Sequence, residues 1–269
     1  MSNGLKINRG MAIMIIVIGI LSLIGIILAC AVPPSQVIKP PVSQWGDNYF
    51  YAYEPPEKAV GSVKVTMAIV NPYFSEKLAG GIYGKVARGF SKSMAIDLDK
   101  IIVAKGMTVT GPFESLDMMT YPDKKNADLT LTPEIFINVQ SRDITDWEMK
   151  GSDWFIKTVE VKVDAWVVLM MREPLSSEKI WIKKIGVGEM AESAEIWAQV
   201  MDMGPRPEYP YIRKYGPGRY LYDGTKDAVA NIIKKMYPNI MQTTWRYLDT
   251  QEILVLKEKA EEIKKLKRY

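Results

Sequence analysis

From Met11 to Ala29 no side chain is charged, nearly all are apolar, and the next charge is Lys39. A helix needs about 20 apolar residues to cross a bilayer, and this run meets that length. It exceeds the hydrophobic core of an ordinary signal peptide, roughly 7–15 residues. Lys6 and Arg9 lie before the run and nothing basic follows closely. The positive-inside bias therefore holds the N-terminus in the cytoplasm and sends the remaining chain across the membrane.

Beyond this segment the pattern changes. Residues 31–58 hold Pro33, Pro34, Pro40, Pro41, Pro55 and Pro56 among Trp45, Tyr49, Phe50, Tyr51 and Tyr53. Each proline fixes its own φ and disfavours helix in the residue before it, so the stretch reads as an extended tether. Its aromatic rings either pack on the domain or sit at lipid headgroups. Val63 to Val70 is β-branched and predicts a buried strand. Ser75 fits an N-cap. Leu78, Ile82, Val86, Phe90, Met94, Leu98 and Ile101 then recur every three or four residues, the stripe of a long amphipathic helix ending near Gly106.

Short strands follow at Met107 to Thr110 and, with alternating Leu129, Leu131, Ile135, Ile137 and Val139, at Asp128 to Val139. The clearest alternation runs from Thr158 to Met171, with valines facing one way and Glu160, Lys162 and Asp164 the other. Pro174 and the serines after it predict a turn into a partner strand from Lys179 to Val187. Residues 188–203 carry a weak helical period through Met190, Ala194, Trp197, Val200 and Met203. Four prolines and three glycines across 204–222 argue against regular structure there. A helix is predicted from Thr225, bent or restarted at Pro238, through Leu248. A charged helix over 250–269 places Ile253, Leu256, Ala260, Ile263 and Leu266 at heptad-like spacing. The order gives an α+β fold: a mixed or mainly antiparallel sheet of about four to five strands, packed by the long N-terminal helix and the C-terminal helices on one face. The domain reading is 1–30 as lipoprotein signal peptide or transmembrane anchor, 31–58 as tether, 59–249 as the extracytoplasmic α+β domain, and 250–269 as the charged C-terminal helix.

Composition narrows the chemistry. The 269 residues include no His and one Cys. That excludes His-dependent triads, His-ligated zinc or haem, and an intrachain disulfide. A net charge of +4 from 35 basic and 31 acidic residues offers no general case for nucleic acid. No catalytic residue, cofactor site or metal site is expected, and the protein reads as non-enzymatic.

The lone cysteine ends Ile27-Leu28-Ala29-Cys30, which resembles a bacterial lipobox. The resemblance implies a lipid on Cys30 and cleavage after Ala29; the alternative is a free thiol at the outer end of an uncleaved Met11–Ala29 helix. Either way the protein contacts membrane lipid, and Ala31 favours the outer membrane. Further along, Val63-Lys64-Val65-Thr66-Met67, Glu134-Ile135-Phe136-Ile137, the hairpin from Val159, and Asp227 to Met236 with Ile240-Met241 are similar to the neuraminyllactose-binding haemagglutinin family. These are lipoprotein adhesins also described on flagellar sheaths. The resemblance implies an α+β envelope lipoprotein with proposed binding to sialylated glycans. One departure matters: where the family has a Lys/Arg-rich hairpin, Asn138 to Lys150 holds two basic and three acidic residues.

Other motifs are plainer. Gly80-Gly81-x-x-Gly84 is placed inside the long helix, where close packing explains it better than a phosphate cradle. Asp97 and Asp99 diverge on a helix and form no paired carboxylate site. The loop at 204–222 carries Arg206, Tyr209, Tyr211, Arg213, Tyr215, Arg219, Tyr220 and Tyr222. Tyr and Arg recur at binding hot spots, and proline limits the ordering cost on association. This is the candidate interface, to other envelope proteins in an oligomer or larger complex, or to a sialylated glycan. The terminal helix reads as a solvated face, with helix assembly or an anionic lipid surface behind it.

Overall fold

Alternation of apolar and polar side chains builds the centre of the molecule. In the computed structural model, which describes residues 38–45, 48–59, 61–74, 83–150, 154–199 and 219–267, strand β6 (Trp154–Arg172) is the longest uninterrupted example. Its odd-numbered side chains from Val159 to Met171 are 3% exposed or less. The first unit, Met1–Lys39, includes the apolar run and Cys30, which lie outside the described residues. The second, Pro40–Tyr269, forms the body.

The body opens with β1 (Thr66–Val70) and the short β2 (Tyr73–Phe74), then helix α1 (Gly84–Ala104) and β3 (Thr108–Phe113). A short helix α2 (Tyr121–Asn126) leads into β4 (Leu129–Asp143), β5 (Glu148–Lys150), β6 and β7 (Lys179–Gln199). Strand β8 (Arg219–Asp223) precedes helices α3 (Thr225–Tyr247) and α4 (Thr250–Leu266). One eight-stranded sheet runs β3-β1-β4-β6-β7-β8, with β2 beside β4 and β5 beside β6. β1 pairs in parallel with β3 and β4, and the β4-β6-β7-β8 side is antiparallel. The α+β class and mixed sheet stand, but the described residues put eight strands in the sheet where four or five were expected.

The largest difference lies in β7. The helical period read over 188–203 is a strand as far as Gln199. A bulge lies just before this stretch: Asp164 pairs with Glu189 but Trp166 with Gly186, so β7 carries one extra residue, beside Gly188 at φ +83°. A bulge resets which parity faces the core. Trp181 and Ile185 face inward before it, and Met190, Ala194 and Ile196 pack inward after it. β8 corrects a second expectation, because Arg219 to Tyr222 belong to a strand rather than an irregular loop. α3 passes through Pro238 without interruption.

α1 is Gly84–Ala104, so Gly84 stands at its first turn rather than within it; Ser75, Gly80 and Gly81 lie outside the described residues. α1, α3 and α4 pack on one face of the sheet in a single core with Met67, Leu131, Ile135 and the inward side of β6. Among the described residues, the opposite face is covered at β1, where Ala68 and Val70 meet Met119 and Ala127. The apolar stripe of α4 is used internally: Ile253, Leu256 and Ala260 are buried. Its charges strap it down, with Lys257 reaching Asp128 at 3.3 Å and Lys264 donating to the Ala127 carbonyl at 3.1 Å. Trp181 donates its indole N–H to Glu252 at 2.7 Å.

Candidate binding surface

The segment that leads into the body lies along α1 and α3. Ser43 Oγ donates to Asp227 Oδ1 at 2.6 Å, and the Gln44 amide donates to Oδ2 of the same carboxylate at 3.3 Å. Trp45 donates its indole N–H to Asn231 at 3.0 Å and lies under Lys234. Tyr49 then crosses Gly89, where a Cβ would stand 2.1 Å from the Tyr49 carbonyl. The Tyr51 amide donates to buried Ser93, and its ring meets Phe90 edge-on. Ala59 and Val63 hydrogen-bond the carbonyls of Ala104 and Gly106 at the far end of α1. Of the two places open to the aromatic tether, Tyr49 and Tyr51 take the protein core.

Asp227 also receives a hydrogen bond from Tyr222 Oη at 3.2 Å. Burial, then the charge of Asp227, push the Tyr222 hydroxyl up to about 12. The carboxylate therefore joins three parts of the chain: the incoming segment, the last residues of the Tyr/Arg loop, and the first turn of α3. Pro41, Gln44, Glu195, Tyr222 and Asn231 line a cleft of about 180 Å³ around it. Of the eight loop residues, only Tyr222 has its side chain described. Arg219 and Tyr220 pair through their backbone with Gln199 and Ala198 on β7. Arg206, Tyr209, Tyr211, Arg213 and Tyr215 lie outside the described residues, as does Cys30.

Asp97 is a buried polar group that spacing alone did not reveal. It is 1% exposed, accepts from Tyr237 Oη at 2.7 Å, and faces Lys100 Nζ at 3.0 Å. Lys100 also reaches Glu54 at 2.9 Å. Burial, followed by the hydrogen bond to Asp97, raises the Tyr237 hydroxyl far above its usual value. The signal available in the sequence was a lone acid among Met94, Leu98 and Ile101, on the stripe's own side of the helix. Asp97 and Tyr237 satisfy each other within the core while Lys100 and the exposed Glu54 close the set at the surface, so the arrangement holds α1 to α3.

Two open features remain on the surface. Lys85, Arg88, Lys92 and Ile96 form an exposed line along α1. They border adjoining troughs of about 620 and 400 Å³, lined also by Asn48, Phe50, Phe74 and Pro112. On the other face of the sheet, Phe136 and Trp166 stack with centroids 5.2 Å apart, and Lys184 sits 4.7 Å from the Trp166 ring. Gly186 pairs with Trp166, and nothing lies within 4 Å of the position its Cβ would take. Among the described residues no group of His, Cys, Asp or Glu is placed to hold a metal ion. Nor is any described helix long and apolar enough to cross a membrane.

No family model and no curated protein matches the sequence. Solved structures do. A neuraminyllactose-binding hemagglutinin homolog from Helicobacter pylori aligns with a TM-score of 0.55 at 16% identity, over 80% of this chain and 99% of that one. A minor lipoprotein from Acinetobacter baumannii aligns at 0.26, with 9% identity over 68% and 93% of the two chains. Lipoprotein GNA1162 from Neisseria meningitidis aligns at 0.21, with 13% identity over 64% and 99%. Scores of 0.26 and 0.21 carry no argument. The first likeness shows that this chain shares its fold with the Helicobacter pylori protein.

Proposed function

We propose that the protein is an exported, membrane-tethered bacterial envelope protein that works by binding, as a subunit of an outer-membrane or sheath-associated assembly. The observation that carries this reading is the Asp227 junction. It fixes Ser43 and Gln44, which follow the apolar leader, beside Tyr222 at the root of the Tyr/Arg loop. A candidate contact loop is thereby rooted next to the membrane-derived end of the chain. The two basic side chains of the stretch from Asn138 to Lys150 have partners within the molecule, Arg142 with Glu160 at 3.2 Å and Lys150 near the Trp197 ring. This weighs against transferring a basic glycan hairpin to this chain.

Mass spectrometry of the N-terminus in the native cell, with cross-linking of intact cells, tests the proposal. A lipid-modified Cys30 or a retained Met11–Ala29 helix, with cross-links from 204–222 to other envelope proteins, is expected. A soluble, monomeric product would overturn it. A surface adhesin for sialylated glycans is the second reading, favoured by the fold of the Helicobacter pylori protein and by the Phe136–Trp166 stack beside Lys184. An aromatic face can take the apolar side of a sugar ring while a cation meets its carboxylate. Retained binding to a sialylated glycan array after Trp166→Ala would remove that platform from consideration.

A further inference from the structure

The segment leading into the body is held in two unequal stretches. In the outer one, Ser43 Oγ donates to Asp227 and accepts the Trp45 amide at 3.3 Å, while the Gln44 amide donates to the second oxygen of the same carboxylate. The Trp45 indole reaches Asn231 on α3, with Lys234 over its ring. All four bonds are only partly buried, and Val42 beside them is 87% exposed. The inner stretch is built differently. Tyr49 is pressed on Gly89, and Tyr51 is 2% exposed, with its ring against Phe90 and Tyr237. The Tyr51 amide donates to buried Ser93 at 2.9 Å.

Surface hydrogen bonds with little apolar burial open locally, whereas contacts inside a core open with the whole fold. The bond from Trp45 to Ser43 ties the indole's hold on Asn231 to the hydroxyl's hold on Asp227, so the outer stretch is one unit. The two stretches meet where Trp45 stacks on Tyr49 at 5.7 Å. Ser43 is thirteen residues beyond Cys30 and Tyr49 nineteen, so freeing the outer stretch adds six residues, at most about 22 Å of chain. We infer that the segment is a leash with a latch: residues 40–45 leave α3 as a unit while Tyr49 and Tyr51 keep their places, and the body gains reach without unfolding. Asp227 then keeps Tyr222, and the cleft beside it loses Pro41 and Gln44 from its wall. Its use as a leash rests on the membrane-tethered reading above.

Hydrogen exchange of the full chain in detergent micelles, resolved at single amides, tests it. Gln44 and Trp45 should be protected about tenfold less than Tyr51, or weaker still. Low urea should speed exchange at Tyr51, whose opening exposes the core, and leave Gln44 and Trp45 unchanged. Asn231→Ala removes the acceptor of the indole without touching the Gln44 amide, yet should speed exchange there about fivefold. Tyr237→Phe weakens the body but not the latch, and should speed Tyr51 about fivefold while Gln44 stays as it was.

Equal protection at Gln44, Trp45 and Tyr51 with one urea dependence would overturn the latch, because the segment would then leave only when the body unfolds. So would a Gln44 amide indifferent to Asn231→Ala, or one with no protection, since no unit would close. Flotation with phosphatidylcholine vesicles separates this failure from that of the tether. A chain that vesicles retain but that shows one of those patterns overturns the latch alone. One with the expected pattern that vesicles do not retain overturns the membrane-tethered reading and leaves the local opening in place.

Discussion

Tyr237 on α3 donates its hydroxyl proton to Asp97 on α1 across 2.7 Å and 140 positions of sequence. Both side chains are 1% exposed. Removing one partner leaves the other buried without its hydrogen bond, the costly half of hydrogen-bond energetics. Tyr237→Phe is expected to lower stability by about 1–2 kcal/mol. Asp97→Ala should cost about 3 kcal/mol, since it also leaves Lys100 with Glu54 alone. Urea unfolding measures both; an Asp97→Ala chain as stable as the parent would refute the role assigned to this pair.

The same burial sets a response to alkali. Tyr51 and Tyr237 are raised well above the ordinary tyrosine value of 10.0, and Tyr222 is raised to about 12. Above pH 10 an unfolded tyrosine loses its proton while the folded one keeps it, so the folded state binds more protons and stability falls as pH rises. The melting temperature should therefore hold steady to about pH 9 and drop beyond about pH 10. Tyr237→Phe should make that drop shallower. A parallel decline in parent and variant would contradict the assignment.

Gly89→Ala tests the close approach of tether and helix. Within an exposed helix, replacing Gly by Ala stabilises by up to about 1 kcal/mol. Here the new Cβ would lie 2.1 Å from the Tyr49 carbonyl, so a loss of about 2 kcal/mol is expected instead. The sign of the change in unfolding free energy decides the matter.

Asp227→Ala should release Ser43, Gln44 and Tyr222 together. We expect faster chymotryptic cleavage after Trp45, a Tyr222 titration closer to 10.0, and a loss of about 2 kcal/mol. Unchanged proteolysis would show that the incoming segment is held by Trp45 and the aromatic contacts alone.

Legibility in the sequence followed the range of the interactions concerned. The alternation of β6 and the stripe of α1 were readable because each needs only its own residues and one apolar face. β7 was misread beyond Val187 because its bulge depends on pairing with β6, and the parity of Met190 and Ala194 has meaning only against that partner. By spacing alone, Asp97 is one of two diverging acids on a helix. Its burial comes from Tyr237, which local spacing cannot bring into view. Of the loop residues chosen for their composition, Tyr222 gained a defined role through Asp227, a contact made across a helix start.

What the sequence determined by itself was an apolar run with a positive flank, the absence of histidine, the α+β class and the faces of its regular elements. These follow from composition and from periods of two and 3.6 residues, which are local properties of the backbone. Tertiary structure decided the strand count, the capture of Tyr49 and Tyr51 into the core, the internal use of the C-terminal stripe, and the line of cations beside the tether. Those depend on which surfaces meet once the chain has closed, and a linear pattern of residues carries no distance between them.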